Sequence, residues 1–170
     1  VYEVLLIGGP AGVGKSTVGW EVSALLRARD EPHCLIEGDI MDQIHPAPPG
    51  DPHRAAITER NLAAIWANYA DLGQRRLIYT NTASILDVPL VTRAMGPSTR
   101  ATSVLLTASH DTVRARLAQR EIGSQLEPHV KRSAFMARHL DEHAPPGTVR
   151  IDTDGRTVTD IATEVCAAWS

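Results

Sequence analysis

Residues 2–17 read YEVLLIGGPAGVGKST. Tyr2–Ile7 is a short apolar run of strand character. Residues 9–16, Gly-Pro-Ala-Gly-Val-Gly-Lys-Ser, match the phosphate-loop pattern of Gly, four residues, Gly, Lys and Ser/Thr. Each position has a physical reason. Gly9, Gly12 and Gly14 let the backbone wrap closely, with positive φ where the turn needs it. With Pro10, Ala11 and Val13 between them, their amides converge on phosphate oxygens, and the dipole of the following helix adds to the attraction. Lys15 reaches the outer phosphates, the Ser16 hydroxyl is placed to ligate Mg²⁺, and Thr17 can support it. The pattern requires a strand before the loop and a helix after it, and both are legible here.

Downstream of the loop, helical patterns alternate with short apolar runs. Helices are expected at about 15–29, 54–72, 87–95, 111–120, 129–142 and 157–169, and strands at 34–37, 76–81, 102–106 and 148–151. Gly73 stands where a helix stop is needed, and Thr157 suits an N-cap. With Tyr2–Ile7 that makes five strands. Strands alternating with helices over 170 residues imply one three-layer α/β/α domain with a parallel sheet. The proline-rich stretch His45–His53 reads as a loop over a site, ordered or mobile, and not as a linker. Trp66 and Tyr69, on one helical face, read as core; Trp20 also reads as packing.

Composition narrows the partners. Seventeen basic and twenty acidic side chains give a net charge of −3, which argues against nucleic-acid or anionic-membrane binding by bulk charge. Two cysteines imply no disulfide framework and suit a reducing, cytoplasmic setting. No apolar run approaches the length of a membrane span, and Val4–Ile7 is too short for a signal peptide. His139 and His143 stand four apart, but no glutamate-rich zinc pattern surrounds them.

Three shorter motifs accompany the loop: Ile36-Glu37-Gly38-Asp39 closing the second strand, Arg116-Leu-Ala-Gln-Arg120 leading into Glu121-Ile-Gly-Ser, and Asp152-Thr-Asp154-Gly155-Arg156 before the last helix. Through these and the order of its elements, the chain resembles small-molecule kinases of the nucleotide-kinase-like group. That group includes gluconate, shikimate and adenylyl-sulfate kinases and chloramphenicol phosphotransferase. The resemblance implies a P-loop NTPase fold of sheet order 2-3-1-4-5, with a small helical lid over about residues 117–135. It implies ATP and Mg²⁺ as cofactors and a small-molecule hydroxyl as acceptor.

It also implies roles. Asp39, facing the γ-phosphate, would take the acceptor proton and organise the metal with Ser16. Glu37 is the alternate base and Asp42 a weaker third. Gluconate kinases carry Gly-Asp followed by His-Pro; here Gly38-Asp39 is followed by His45-Pro46 after a longer gap, and the segment expected after His-Pro is missing. Arg116 would stack on adenine and Arg120 reach the phosphates, both suited to a planar guanidinium; Arg132 and Arg138 could reach in from the far side of the lid. Asp154, Gly155 and Arg156 would border the adenine.

The third strand ends Tyr79-Thr-Asn81-Thr82 without a closing acid, which weakens a motor or switch ATPase reading. Asn81 and Thr82 are candidates for contacting acceptor or phosphate, and Arg54, Arg60 and Arg93 for an anionic or polyhydroxy acceptor. The expected activity is transfer of the γ-phosphate of ATP to a small-molecule hydroxyl, by a monomer or homodimer with no membrane partner. A nucleotide-binding ATPase or resistance module that makes no phosphorylated product, and a nucleoside or nucleic-acid end kinase, stand as alternatives.

Overall fold

The computed structural model describes residues 1–120 and 123–170. Five strands, β1 (Tyr2–Gly8), β2 (Cys34–Glu37), β3 (Arg76–Thr80), β4 (Thr99–Thr107) and β5 (Val149–Asp152), form one sheet in the order β2-β3-β1-β4-β5. Every pairing is parallel. Six helices connect them: α1 (Lys15–Ala28), α2 (Ala55–Asp71), α3 (Val88–Met95), α4 (His110–Ala118), α5 (Leu126–His143) and α6 (Val158–Ala168). This is the three-layer α/β/α P-loop NTPase architecture.

The two-residue period of the strands divides the core. Leu5, Ile7, Ile78, Val104, Leu106 and Ile151 face α1 and α6, meeting Val18, Val22, Leu26, Ile161 and Val165. Val4, Leu6, Ile36, Leu77 and Tyr79 face α2 and α3, meeting Leu62, Trp66, Val91 and Met95. β1 is central, so its residues Val4 to Ile7 are buried on both faces, and the loop that follows it leaves the middle of the sheet's carboxyl edge. Trp66 donates its indole N–H to Met95 O and meets Tyr2 edge-on, as a core reading requires. Trp20 departs from expectation. It is 51% exposed, because the buried stripe of α1 runs through Val18, Gly19, Val22, Ser23 and Leu26 and leaves position 20 on the outer face.

The ends of several elements move for local reasons. β4 starts at Thr99, three residues before the apolar run, because Thr99–Ala101 pair with Tyr2–Val4 although they carry no hydrophobic signal. α5 starts at Leu126, ahead of Pro128: a proline in a helix's first turn forfeits no intrahelical bond, so it need not delay the start. α4 ends at Ala118, leaving Arg120 beyond it. In the segment expected as a lid, Gly123–Gln125 form a 3-10 turn, while Glu121 and Ile122 lie outside the described residues. The proline-rich loop is anchored at both ends. Asn61 donates to Met41 O, Arg54 Nε donates to Ile44 O, and the Asp51 carboxylate accepts from the amides of Ala56 and Ile57 at the start of α2. Among the described residues no helix is long and apolar enough to cross a membrane.

α1 lies close to the sheet because Gly19 has no side chain: a Cβ there would stand 2.8 Å from Thr80 Cγ2. Gly19→Ala is therefore expected to lower the unfolding free energy by about 1–2 kcal/mol, overpacking outweighing the better helix propensity of alanine. Urea denaturation measures the change, and a stabilised variant would show that the interface yields.

Candidate functional site

A stretch of backbone that offers its amides to a ligand must place its carbonyls elsewhere. In the loop after β1 this is done with side chains. Pro10 O accepts from Lys15 Nζ at 3.2 Å and from the Val13 amide. Ala11 O accepts from the Ser133 hydroxyl of α5 at 2.7 Å. Gly12 O and Val13 O both accept from Arg116 Nη1 of α4, at 3.3 and 3.2 Å. Four consecutive carbonyls are thus occupied. Gly12 and Gly14 adopt φ of 85° and 98°, the left-handed region that turns the chain. The amides of Ala11, Gly12, Gly14, Lys15 and Ser16 donate to no protein acceptor among the described residues. Gly14 caps α1 without a side-chain bond, so the open N–H groups of the first turn face the same space. Ser16 and Thr17 are exposed there.

Lys15, Asp39 and Arg120 come from three different segments and share one electrostatic environment. Burial pushes the Lys15 ammonium below the ordinary lysine range; Asp39 opposes that shift, and the like charge of Arg120 adds to it. Asp39 lies in a 3-10 turn, Gly38–Ile40, directly after β2, and is exposed. Glu37, the alternate, closes β2 in register with Thr80 and is half-buried. Of the two acids, Asp39 is the one that acts on Lys15.

A cleft of about 220 Å³ opens beside the loop, lined by Gly12, Thr17, Arg116, Arg120, Thr153 and Arg156 among others. Besides holding the loop, Arg116 Nη1 donates to Thr153 Oγ1, which in turn donates to Thr107 O. The N–H groups of Nη1 are thus spent on the scaffold. The Asp154 carboxylate accepts from the Ser109 amide through both oxygens, which holds it below the usual carboxylate range and ties the β5–α6 loop to the start of α4. Gly155, with φ of 64°, makes the turn. Arg156 donates to Asp152 O and pairs with Glu164. Thr157 caps α6 by accepting from the Asp160 amide.

The other candidates are scattered. Arg93 is forked onto both carboxylate oxygens of Glu59. Arg54 lines a second cleft of about 470 Å³ with Asp42, Gln43, Ile44 and His45. Arg60 and Arg132 are exposed, and Arg138 lines an apolar cleft beside Pro10 and His110. Asn81 Oδ1 accepts from the Ala83 amide, and Thr82 O accepts from the Gly9 amide, so both shape the loop after β3. The His143 ring bonds to His139 O, and the His139 ring stacks on Phe135.

Two residues of the site went unmarked in the sequence. Ser133 is 3% exposed and braces the loop from 122 positions away. Its one signal was a polar residue on the buried stripe formed by Val130 and Leu140. Thr153 is buried and links Arg116 to β4, with no local pattern to mark it.

No protein-family model matches the chain, and no curated protein matches it by sequence. Solved structures do. The chain is similar to the tunicamycin resistance protein of Deinococcus radiodurans, with 20% identity over 98% of this chain and 95% of that one and a TM-score of 0.64. It is also similar to a gluconokinase from Sinorhizobium meliloti, with 20% identity, coverage of 98% and 91%, and a TM-score of 0.58. The APS kinase of Mycobacterium tuberculosis, solved with AMPPNP and APS, shows 19% identity, coverage of 98% and 96%, and a TM-score of 0.57. At these identities the likeness establishes the fold, which is that of the P-loop kinases.

A partly buried ammonium costs stability while it is charged. Because the Lys15 pKa is lowered on folding, that cost is present below the folded pKa and is relieved as pH rises toward the ordinary lysine value of 10.5. Lys15→Met should therefore unfold at an equal or higher urea concentration than the parent at pH 7, with the difference shrinking at alkaline pH. A marked loss of stability at pH 7 would contradict this account.

Proposed function

We propose that the chain is an ATP- and Mg²⁺-dependent phosphotransferase that moves the γ-phosphate to a hydroxyl of a small molecule. The observation that carries this reading is the convergence of a cation, an acid and a second cation at the mouth of the braced loop: Lys15, Asp39 and Arg120, coupled electrostatically.

The donors present suit a magnesium nucleotide. The loop offers amides without partners, Ser16 exposes a hydroxyl at the first turn of α1, and Asp39 supplies a carboxylate near Lys15. Mg²⁺ held by Ser16 and Asp39 would neutralise charge on the outer phosphates. The adenine would occupy the cleft between the face of Arg116 and residues 153–156. Lys15 would exchange its bond to Pro10 O for phosphate oxygens, and Arg120 would stabilise the charge on the transferred group. Asp39 would orient the acceptor hydroxyl and take its proton. The bond from the acceptor oxygen to the γ-phosphorus forms as the bond from that phosphorus to the bridging oxygen of ADP breaks. Residues 117–135 would serve as the lid, excluding water so that ATP is not simply hydrolysed.

The test is transfer of radiolabelled γ-phosphate to pooled sugars, hydroxy acids, nucleosides and hydroxylated antibiotics. Lys15→Ala is expected to abolish nucleotide binding or turnover. Asp39→Asn is expected to keep ATP binding, measured by calorimetry, while transfer falls by about 10²–10⁴-fold. Full transfer by Asp39→Asn would reject the base assignment. Label released only as inorganic phosphate, equally in every pool, would favour an ATPase.

A further inference from the structure

We infer that Ser133 is a positioning residue for the phosphate donor: by holding Ala11 O toward α5, it aims the Gly12 amide at the bound phosphates. The inference rests on the phosphotransferase reading and adds a residue to that site. In a trans peptide unit the C=O and the N–H point in opposite directions, so fixing one aims the other. The unit that joins Ala11 to Gly12 is trans. Its carbonyl accepts from Ser133 Oγ at 2.7 Å and from no other donor among the described residues. Its other end, the Gly12 N–H, donates to no protein acceptor among them. The neighbouring units are held differently. Pro10 O, whose unit carries the Ala11 N–H, has two donors, Lys15 Nζ and the Val13 amide. Val13 O, whose unit carries the Gly14 N–H, accepts from Arg116 of α4. The unit that ends in Gly12 is the one that rests on α5.

Packing holds the hydroxyl in place. α5 is fixed on both sides of it. Val130 packs with Val113 and Leu117 of α4, with Ala11 against the same group, and Leu140 packs with Leu105 and Ile85. Ser133 lies between them and is 3% exposed. A position that served packing alone would be better filled by alanine, which has the higher helix propensity and no hydroxyl to satisfy. Without that hydroxyl the Ala11–Gly12 unit is free to turn. Gly12 stands at φ of 85°, and glycine accepts φ of either sign. Turned over, the unit presents a carbonyl oxygen to the anion where it now presents an N–H.

Calorimetry of the full chain with Mg²⁺ present measures binding of ATP and, separately, of inorganic tripolyphosphate, a probe with phosphates and no base. Ser133→Ala should bind both about tenfold more weakly, and by the same factor, with a urea midpoint close to the parent's. Ser133→Cys, near in volume but a poor donor, should repeat the loss. Ser133→Thr keeps the hydroxyl, and its extra methyl has room in the cleft of about 210 Å³ that Ser133 lines, so it should restore most of the affinity. Parental affinity for both probes in a folded Ser133→Ala or Ser133→Cys variant overturns the inference. So does a loss that Ser133→Thr shares in full. A loss confined to ATP places the effect at the base and overturns it too. If the parent binds neither probe in a Lys15-dependent way, the phosphotransferase reading falls, and the inference with it.

Discussion

The site depends on disposing of four backbone carbonyls. A loop that presents several amides to one point carries as many carbonyls, and these compete with the anion unless something else holds them. Here Lys15, Ser133 and Arg116 hold Pro10 O, Ala11 O, Gly12 O and Val13 O. The donors come from α1, α5 and α4, so the position of those helices against the sheet's edge is also the loop's own conformational restraint. Arg116 extends the restraint to β5 through Thr153, and Asp154 extends it to the start of α4 through Ser109. The features read as adenine contacts are, in the first instance, the framework that keeps the loop open.

The sheet was legible because its signals are local. Apolar runs of strand length, separated by helical periodicity, leave little choice but a parallel sheet, and the glycine-rich loop after the first strand marks which edge carries the site. Boundaries were less legible where pairing outweighs side-chain character. Thr99–Ala101 join β4 because β1 offers them partners, and Leu126 opens α5 because a proline at the third helical position does no harm. Trp20 shows a different limit, since a large aromatic residue carries no sign of which face of its helix is covered.

The candidate site divides in the same way. The loop residues follow one another in the chain and could be named together. Asp39 and Arg120 depended on resemblance for their roles, and the fold brings both within electrostatic reach of Lys15. Ser133 and Thr153 were out of reach: a serine on a buried stripe and a buried threonine both read as packing until the partner is seen.

The bond from Ser133 to Ala11 spans most of the chain, and it bears on how the protein is made. The phosphate loop leaves the ribosome more than a hundred residues before its brace on α5. The central strand waits similarly for β3 and β4, which flank it in space but follow it in synthesis. A nascent chain therefore carries the whole loop sequence while the following hundred and more residues are made, before it has the means to shape it. The carbonyls of Ala11, Gly12 and Val13 gain their side-chain donors only once α4 and α5 have been made.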